Sequence, residues 1–119
     1  MNITEQKIGD VVVAKIQGKF DAATTPTAES TLYRLLAARG VHLILDLSDV
    51  SYMSSAGIRL LLNLVRQARR QSGALRLAGV QPQTKRTLEL VGLVPIFPLH
   101  GDVAAALGAF HSATYQLNA

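Results

Sequence analysis

The spacing of hydrophobic and polar positions changes along the chain between the period of a strand and the period of a helix, which predicts alternating strands and helices. Mainly apolar or alternating segments predict five strands, the first of them weak, at residues 1–7, 11–18, 41–47, 74–78 and 96–99. Apolar residues spaced by three or four predict four helices at residues 25–39, 55–71, 82–91 and 102–110. Thr25 is the expected N-cap of the first helix, with Pro26 following at its first turn.

This order of elements predicts a single α/β domain with a small mixed sheet and about four helices. Strands that alternate with helices pair in parallel through right-handed crossovers, whereas the first two strands form an antiparallel hairpin. Pro95 and Pro98 restrict the last strand to an edge of the sheet or to a ragged end. We expect the domain to span residues 1–112 and residues 113–119 to form a short frayed tail.

The helix at 55–71 has a wide apolar arc that predicts which of its faces is buried. Together with the strand residues that it should cover, it predicts a core that includes Val11, Val13, Leu43, Leu45, Leu61 and Val65.

Residues 45–62 (LDLSDVSYMSSAGIRLLL) are predicted to pass from a buried strand through a polar loop into this helix. Its first turn exposes backbone N–H groups and attracts anions, so a serine there could cap the helix, act as a nucleophile or accept a phosphate. Ser54 suits the capping position, and Ser55 points to the polar boundary, one turn before Arg59. Two serines that merely cap the helix are the simpler interpretation.

The loop after the second strand should emerge at the same sheet edge, because the carboxyl ends of parallel strands lie together. This loop carries Asp21, which could cap a turn or form an acidic rim beside Ser55. We therefore expect one partner surface made of Asp21 and the segment 51–59, including the residues Ser51, Met53, Ser54, Ala56, Gly57 and Arg59.

Catalytic motifs are missing from the sequence, which argues against an enzyme. The serines lack the preceding glycine of a nucleophile elbow, and no spacing brings His42, His100 or His111 to Ser55. His42 is expected to be a hydrogen-bonded structural residue. No zinc-binding spacing, phosphate loop or dinucleotide motif is present, so we expect no metal and no cofactor.

Composition narrows the functional classes further. The chain has 119 residues, no cysteine, 49% hydrophobic residues and a formal charge of +4. With few aromatic residues, this charge argues against nucleic-acid binding and fits solubility or an acidic partner. No apolar run reaches the roughly 20 residues that span a bilayer, and the polar N-terminus is unlike a secretory signal, so we expect a cytoplasmic protein without membrane contact.

Four motifs resemble the anti-sigma-factor antagonists, single-domain members of the STAS group, and the resemblance covers residues 1 to about 111. They are Gly18-Lys19-Phe20-Asp21, Asp46-Leu47-Ser48, Tyr52-Met53-Ser54-Ser55-Ala56-Gly57-Ile58 and the segment 88–93 (LELVGL). Each is weak alone, and their combination is specific. The family often has Asp at the position of Ser54.

The resemblance implies that Ser55 is the phosphoacceptor of a partner-switching pathway. In that family an anti-sigma factor that is also an ATP-dependent serine kinase binds the unphosphorylated antagonist and thereby frees its sigma factor. Phosphorylation releases the antagonist, and a metal-dependent serine phosphatase resets it. The alternative is a STAS interaction subunit of a transporter or signalling assembly that is not phosphorylated.

Overall fold

The structure, a computed structural model, describes the backbone of residues 1–118 and the side chains of residues 1–111. The strands are β1 (Asn2–Ile8), β2 (Val11–Phe20), β3 (His42–Met53), β4 (Ala74–Ala78) and β5 (Leu99–His100). The helices are α1 (Thr25–Leu35), α2 (Ser55–Arg70), α3 (Pro82–Leu90) and α4 (Val103–Asn118), with a short 3₁₀ turn at Val94–Ile96.

The strands form one five-stranded sheet in the order β1-β2-β3-β4-β5. β1 pairs antiparallel with β2, and the remaining strands pair in parallel, which confirms the predicted mixed sheet. Gly9 has a positive φ of 59° in the turn of the hairpin, a conformation that glycine adopts without steric cost.

The core has two layers, one on each face of the sheet. The larger cluster includes residues of β2, β3, β4, α1 and α2, and a smaller one includes Ala106 and Phe110 of α4 with residues of β2, β3 and β4. All six residues predicted to lie in the core are buried, which confirms the assignment of the inward face of α2. In the part of the chain that the structure describes, no helix is long and apolar enough to cross a membrane.

The polar segment after residue 47 was predicted to be a loop, and this prediction is wrong. β3 continues to Met53 because its last residues still pair with β2, from Asp49 opposite Gln17 to Met53 opposite Phe20. Register shifts in this pairing disturb the regular alternation of side chains, which is why the sequence pattern looks irregular.

The bounds of the helices also differ from the prediction, most of all at the ends of α1 and α4. α1 ends at Leu35, and Gly40, whose φ is positive, then donates its N–H to the Gln71 carbonyl, which ties this loop to the end of α2. Thr25 is the first residue of α1 and Thr24 is the N-cap, because the Thr25 N–H already donates to the Asp21 carbonyl four residues earlier, at 3.0 Å. The Thr25 hydroxyl donates to the same carbonyl at 2.6 Å. α4 extends beyond Phe110, and the side chains of the predicted tail lie outside the described residues.

The last strand is shorter than predicted. Residues 94–96 form a 3₁₀ turn, and only Leu99 and His100 pair with β4. The predicted edge position is confirmed.

Candidate functional site

The loops that carry Asp21 and the two serines lie side by side at the carboxyl end of the sheet. Phe20 pairs with Met53 at the ends of β2 and β3. One residue further, the Ser54 N–H donates to the Phe20 carbonyl at 2.8 Å. The predicted juxtaposition of these two segments is therefore present in the fold.

The two serines have different roles at the start of α2. Ser54 has extended backbone angles (φ −74°, ψ 169°), and its Oγ accepts a hydrogen bond from the Gly57 N–H at 3.2 Å, so it is the N-cap. Ser55 is the first helical residue and is exposed. Its hydroxyl forms no hydrogen bond with any residue that the structure describes. Of the two hydroxyls, that of Ser55 is the one available for chemistry.

Gly57 allows α2 to approach the ends of both strands. It is buried, and an added Cβ would lie 2.8 Å from Met53 Cγ and 2.8 Å from Phe20 Cβ. The glycine therefore sets the position of the first turn of α2, and hence of Ser55, against the sheet. Its assignment to a partner surface stays a prediction.

Asp21 stabilises the turn between β2 and α1. Its Oδ1 accepts hydrogen bonds from the N–H groups of Ala23 at 2.9 Å and Thr24 at 3.0 Å. These bonds, led by the one from the Thr24 backbone, lower the pKa of the Asp21 carboxyl. Oδ2 has no hydrogen bond within the described residues, so capping of the turn leaves half of the carboxylate available to a partner.

The remaining predicted partner residues surround Ser55 with different degrees of exposure. Arg59 is exposed one turn after Ser55, and it makes no hydrogen bond or ion pair with the described residues. Ser51 is exposed, whereas Met53 and Ala56 are half-buried. Arg59 is thus an unpaired cation on the same side of the helix start as Ser55.

Tyr52, which lies within the predicted surface segment 51–59, belongs to the same edge. Its side chain is 49% exposed, which is unusual for a large aromatic residue in a strand. Its neighbours along the strand are the exposed Ser51 and the half-buried Met53.

Two of the three histidines, His42 and His100, make their contacts elsewhere in the fold. His42 lies at the opposite end of β3, where its ring stacks on Phe110 with centroids 4.7 Å apart. The hydrogen bond expected for His42 is not formed with any residue whose side chain the structure describes. His100 Nε2 lies 3.2 Å from Arg76 Nη1, and burial together with the Arg76 charge lowers the pKa of His100. Among the described residues, no three His, Cys, Asp or Glu side chains are grouped to hold a metal ion.

Asp46 and Ser48 shape the backbone where β3 leaves the centre of the sheet. Asp46 Oδ1 accepts from the Ser48 N–H at 3.1 Å and from its hydroxyl at 2.7 Å. Gly79, with a φ of 68°, packs so closely on this turn that a Cβ there would lie 2.9 Å from Ser48 Cβ. The Asp-Leu-Ser motif therefore has a structural role.

Comparisons with known proteins agree with this fold. BtrV of Bordetella bronchiseptica, named as a candidate anti-sigma factor antagonist, is 32% identical over 113 residues, which cover 95% of this chain and 97% of BtrV. A crystal structure of an anti-sigma factor antagonist from Mycobacterium paratuberculosis superimposes with a TM-score of 0.79 at 27% identity, covering 91% of this chain and 92% of that one.

The fold is also that of SpoIIAA, an anti-sigma factor antagonist whose phosphorylated form is known from Bacillus. Its unphosphorylated form has a TM-score of 0.78 and its phosphorylated form 0.69, each at 18% identity. The alignments cover 93% and 92% of this chain and 97% and 99% of SpoIIAA. The model of the STAS domain family matches residues 2–106. The resemblance inferred from the motifs is thus confirmed, and the chain belongs to the STAS domain family.

Proposed function

We propose that this protein is an anti-sigma factor antagonist that is switched by phosphorylation of Ser55. In its unphosphorylated form it binds an anti-sigma factor with ATP-dependent serine kinase activity, which frees the sigma factor. A metal-dependent serine phosphatase returns the phosphorylated form to the binding state. The protein is a regulatory binding domain of the cytoplasm and catalyses no step itself.

The observation that carries this proposal is that Ser54 and Ser55 differ in hydrogen bonding and exposure. Ser54 is engaged as the N-cap, whereas the Ser55 hydroxyl is exposed at the first position of α2. A kinase can therefore modify Ser55 without breaking the cap that holds the helix start. Similarity to the named antagonists supplies the class of partner.

A phosphate on Ser55 is compatible with the fold on electrostatic grounds. It would add about −1.5 to −2 charge at pH 7, at the positive end of the α2 dipole. Arg59, one turn along the helix and without an ion pair among the described residues, provides a cation for this charge. The modified domain should therefore keep its structure.

The phosphate should destabilise the complex with the kinase, although it should not destabilise the free domain. The kinase surface that fits the neutral Ser55 hydroxyl would have to accommodate a bulkier phosphate, and the charged phosphate would have to be desolvated on binding. A penalty of about 3 kcal/mol already weakens affinity by more than about a hundredfold. Phosphorylation would then release the kinase through local charge, without refolding of the antagonist.

Binding measurements with variants of the two serines test the switch. Ser55→Ala should bind the cognate kinase in the presence of ATP without being released, whereas Ser55→Asp should bind at least tenfold more weakly. Ser54→Ala should remain phosphorylatable, although loss of the cap should cost about 1 kcal/mol of stability. Equal kinase binding by all three variants would instead favour a constitutive interaction subunit.

A further inference from the structure

β3 extends well beyond its neighbour β4 and so has one unpaired edge. It pairs with β4 only from His42 opposite Ala74 to Asp46 opposite Ala78, whereas it pairs with β2 as far as Met53. Along residues 48–53, the side of β3 that faces away from β2 has no strand partner in the described part of the chain. An exposed edge of this kind presents backbone N–H and C=O groups that can pair with another chain.

This edge forms one wall of a groove whose other wall is the start of α3. Ser48, Asp49 and Ser51 line the β3 side, and the α3 side is lined by Gln81, Gln83 and Arg86. The groove has a volume of about 550 Å³ and is open to solvent. At its inner end the Gln81 side-chain amide donates to the Ser48 carbonyl, so a polar group of this chain already pairs with the edge.

The charged residues of the groove are not equivalent. Asp49 forms an ion pair with Lys15 at 3.3 Å and accepts a hydrogen bond from Gln17, and these contacts, led by that from Gln17, lower the pKa of Asp49. Arg86 is exposed and has no carboxylate partner among the residues that the structure describes. The groove therefore offers an unneutralised cation and favours an acidic ligand.

The strand that lines the groove leads along the chain to the proposed switch. The strand that forms its wall ends at Met53 and leads into the Ser54 cap and Ser55. A molecule that presents a kinase active site to Ser55 must therefore lie over the end of this strand. This continuity of β3 with the switch favours the kinase as the occupant of the groove.

We propose that the groove binds an extended segment of the kinase as an added strand on the free edge of β3, with a carboxylate of that segment against Arg86. Backbone hydrogen bonds along residues 48–53 would supply affinity, and the ion pair with Arg86 would fix the register. The inference rests on the proposed function, because it takes the serine-kinase anti-sigma factor as the partner.

Charge reversal tests the contact with Arg86. Arg86→Glu should weaken binding of the cognate kinase at least tenfold, whereas Arg39→Glu should change it less than twofold. Arg39 is a matched control because it is exposed, unpaired among the described residues and precedes β3 at the opposite end of the sheet. Thermal unfolding of both variants should match that of the wild type, since both side chains are exposed and form no hydrogen bond or ion pair with the described residues.

Hydrogen exchange of the complex tests the added strand. Amides of residues 48–53 and the start of α3 should become protected when the kinase binds, including in Ser55→Ala, which cannot be phosphorylated. Weakened binding by Arg86→Glu without this protection would overturn the added strand. Equal binding by the Arg86 and Arg39 variants would overturn the inference while leaving the switch at Ser55 intact.

Two further results, lack of kinase binding and self-association of the protein, can be distinguished from the outcomes above. If the wild-type protein does not bind the kinase, the proposed function fails and the inference fails with it. If the isolated protein self-associates in sedimentation experiments and Arg86→Glu abolishes this without affecting kinase binding, the groove binds a second copy, and the proposed occupant is wrong.

Discussion

Replacing Leu61 by alanine tests whether α2 is held against the sheet by the face described above. Leu61 is fully buried in the larger core cluster, and α2 packs on β3 and β4. Burying a leucine side chain contributes about 1.5–3 kcal/mol, and the cavity left by its removal raises the total cost to about 2–5 kcal/mol. Because the neighbouring strands are paired on both sides and cannot collapse into the space, we expect a loss of about 3 kcal/mol or more.

Urea unfolding followed by circular dichroism measures this loss, and Leu90→Ala is its control. Leu90 is also a helical leucine, but it is 81% exposed at the end of α3, so its replacement should change the free energy of unfolding by less than about 0.5 kcal/mol. An unchanged m-value would show that the difference lies in stability. A loss below about 0.5 kcal/mol for Leu61→Ala would refute the assigned packing of α2.

Two other substitutions test the geometry around Ser55. Gly57→Ala should destabilise the domain by about 1–2 kcal/mol in the same assay, because crowding against Met53 and Phe20 outweighs the better helix propensity of alanine. Its control is Gly108→Ala, which should be neutral or stabilising, because an added Cβ there meets nothing within 4 Å. The opposite ranking of the two variants would contradict the close approach of α2 to the ends of β2 and β3. Asp21→Ala should weaken kinase binding and also destabilise the turn, and loss of stability without loss of binding would leave Asp21 as a turn cap only. Since the folded state lowers the Asp21 pKa below its ordinary 3.8, the stability that the carboxylate contributes is complete above that value and is lost as the pH falls through the folded pKa. The difference in unfolding free energy between the wild type and Asp21→Asn should therefore be constant from pH 8 to 5 and shrink at lower pH.

The elements whose side chains are mostly buried in the core could be predicted from the sequence. The apolar arc of α2 and the buried residues of β3 and β4 follow directly from periodicity, and the order of elements gave the pairing of the sheet. The outer half of β3 could not be predicted, because it has no β4 partner and its polar residues face solvent, as they would in a loop. β5 has only two residues, which is too short for a pattern.

At the site, too, local properties could be predicted from the sequence, whereas contacts between distant segments could not. Ser54 and Ser55 could be assigned different roles because capping is a local property of a helix start. The expectation for Asp21 was left open between two roles, and the structure shows the turn contacts directly. The groove with Arg86 was missed, because α3 reaches the edge of β3 only through the crossover after β4, and no local pattern records that contact.

The most direct test of the central claim is to map the phosphorylated residue after incubation with the cognate kinase and ATP. Tandem mass spectrometry of the wild type should place a single phosphate on Ser55, and Ser54→Ala should be labelled at the same residue. Phosphate on Ser54 with Ser55 unmodified would contradict the assignment of the two serines. A protein that binds the kinase but takes up no phosphate would contradict the switch itself.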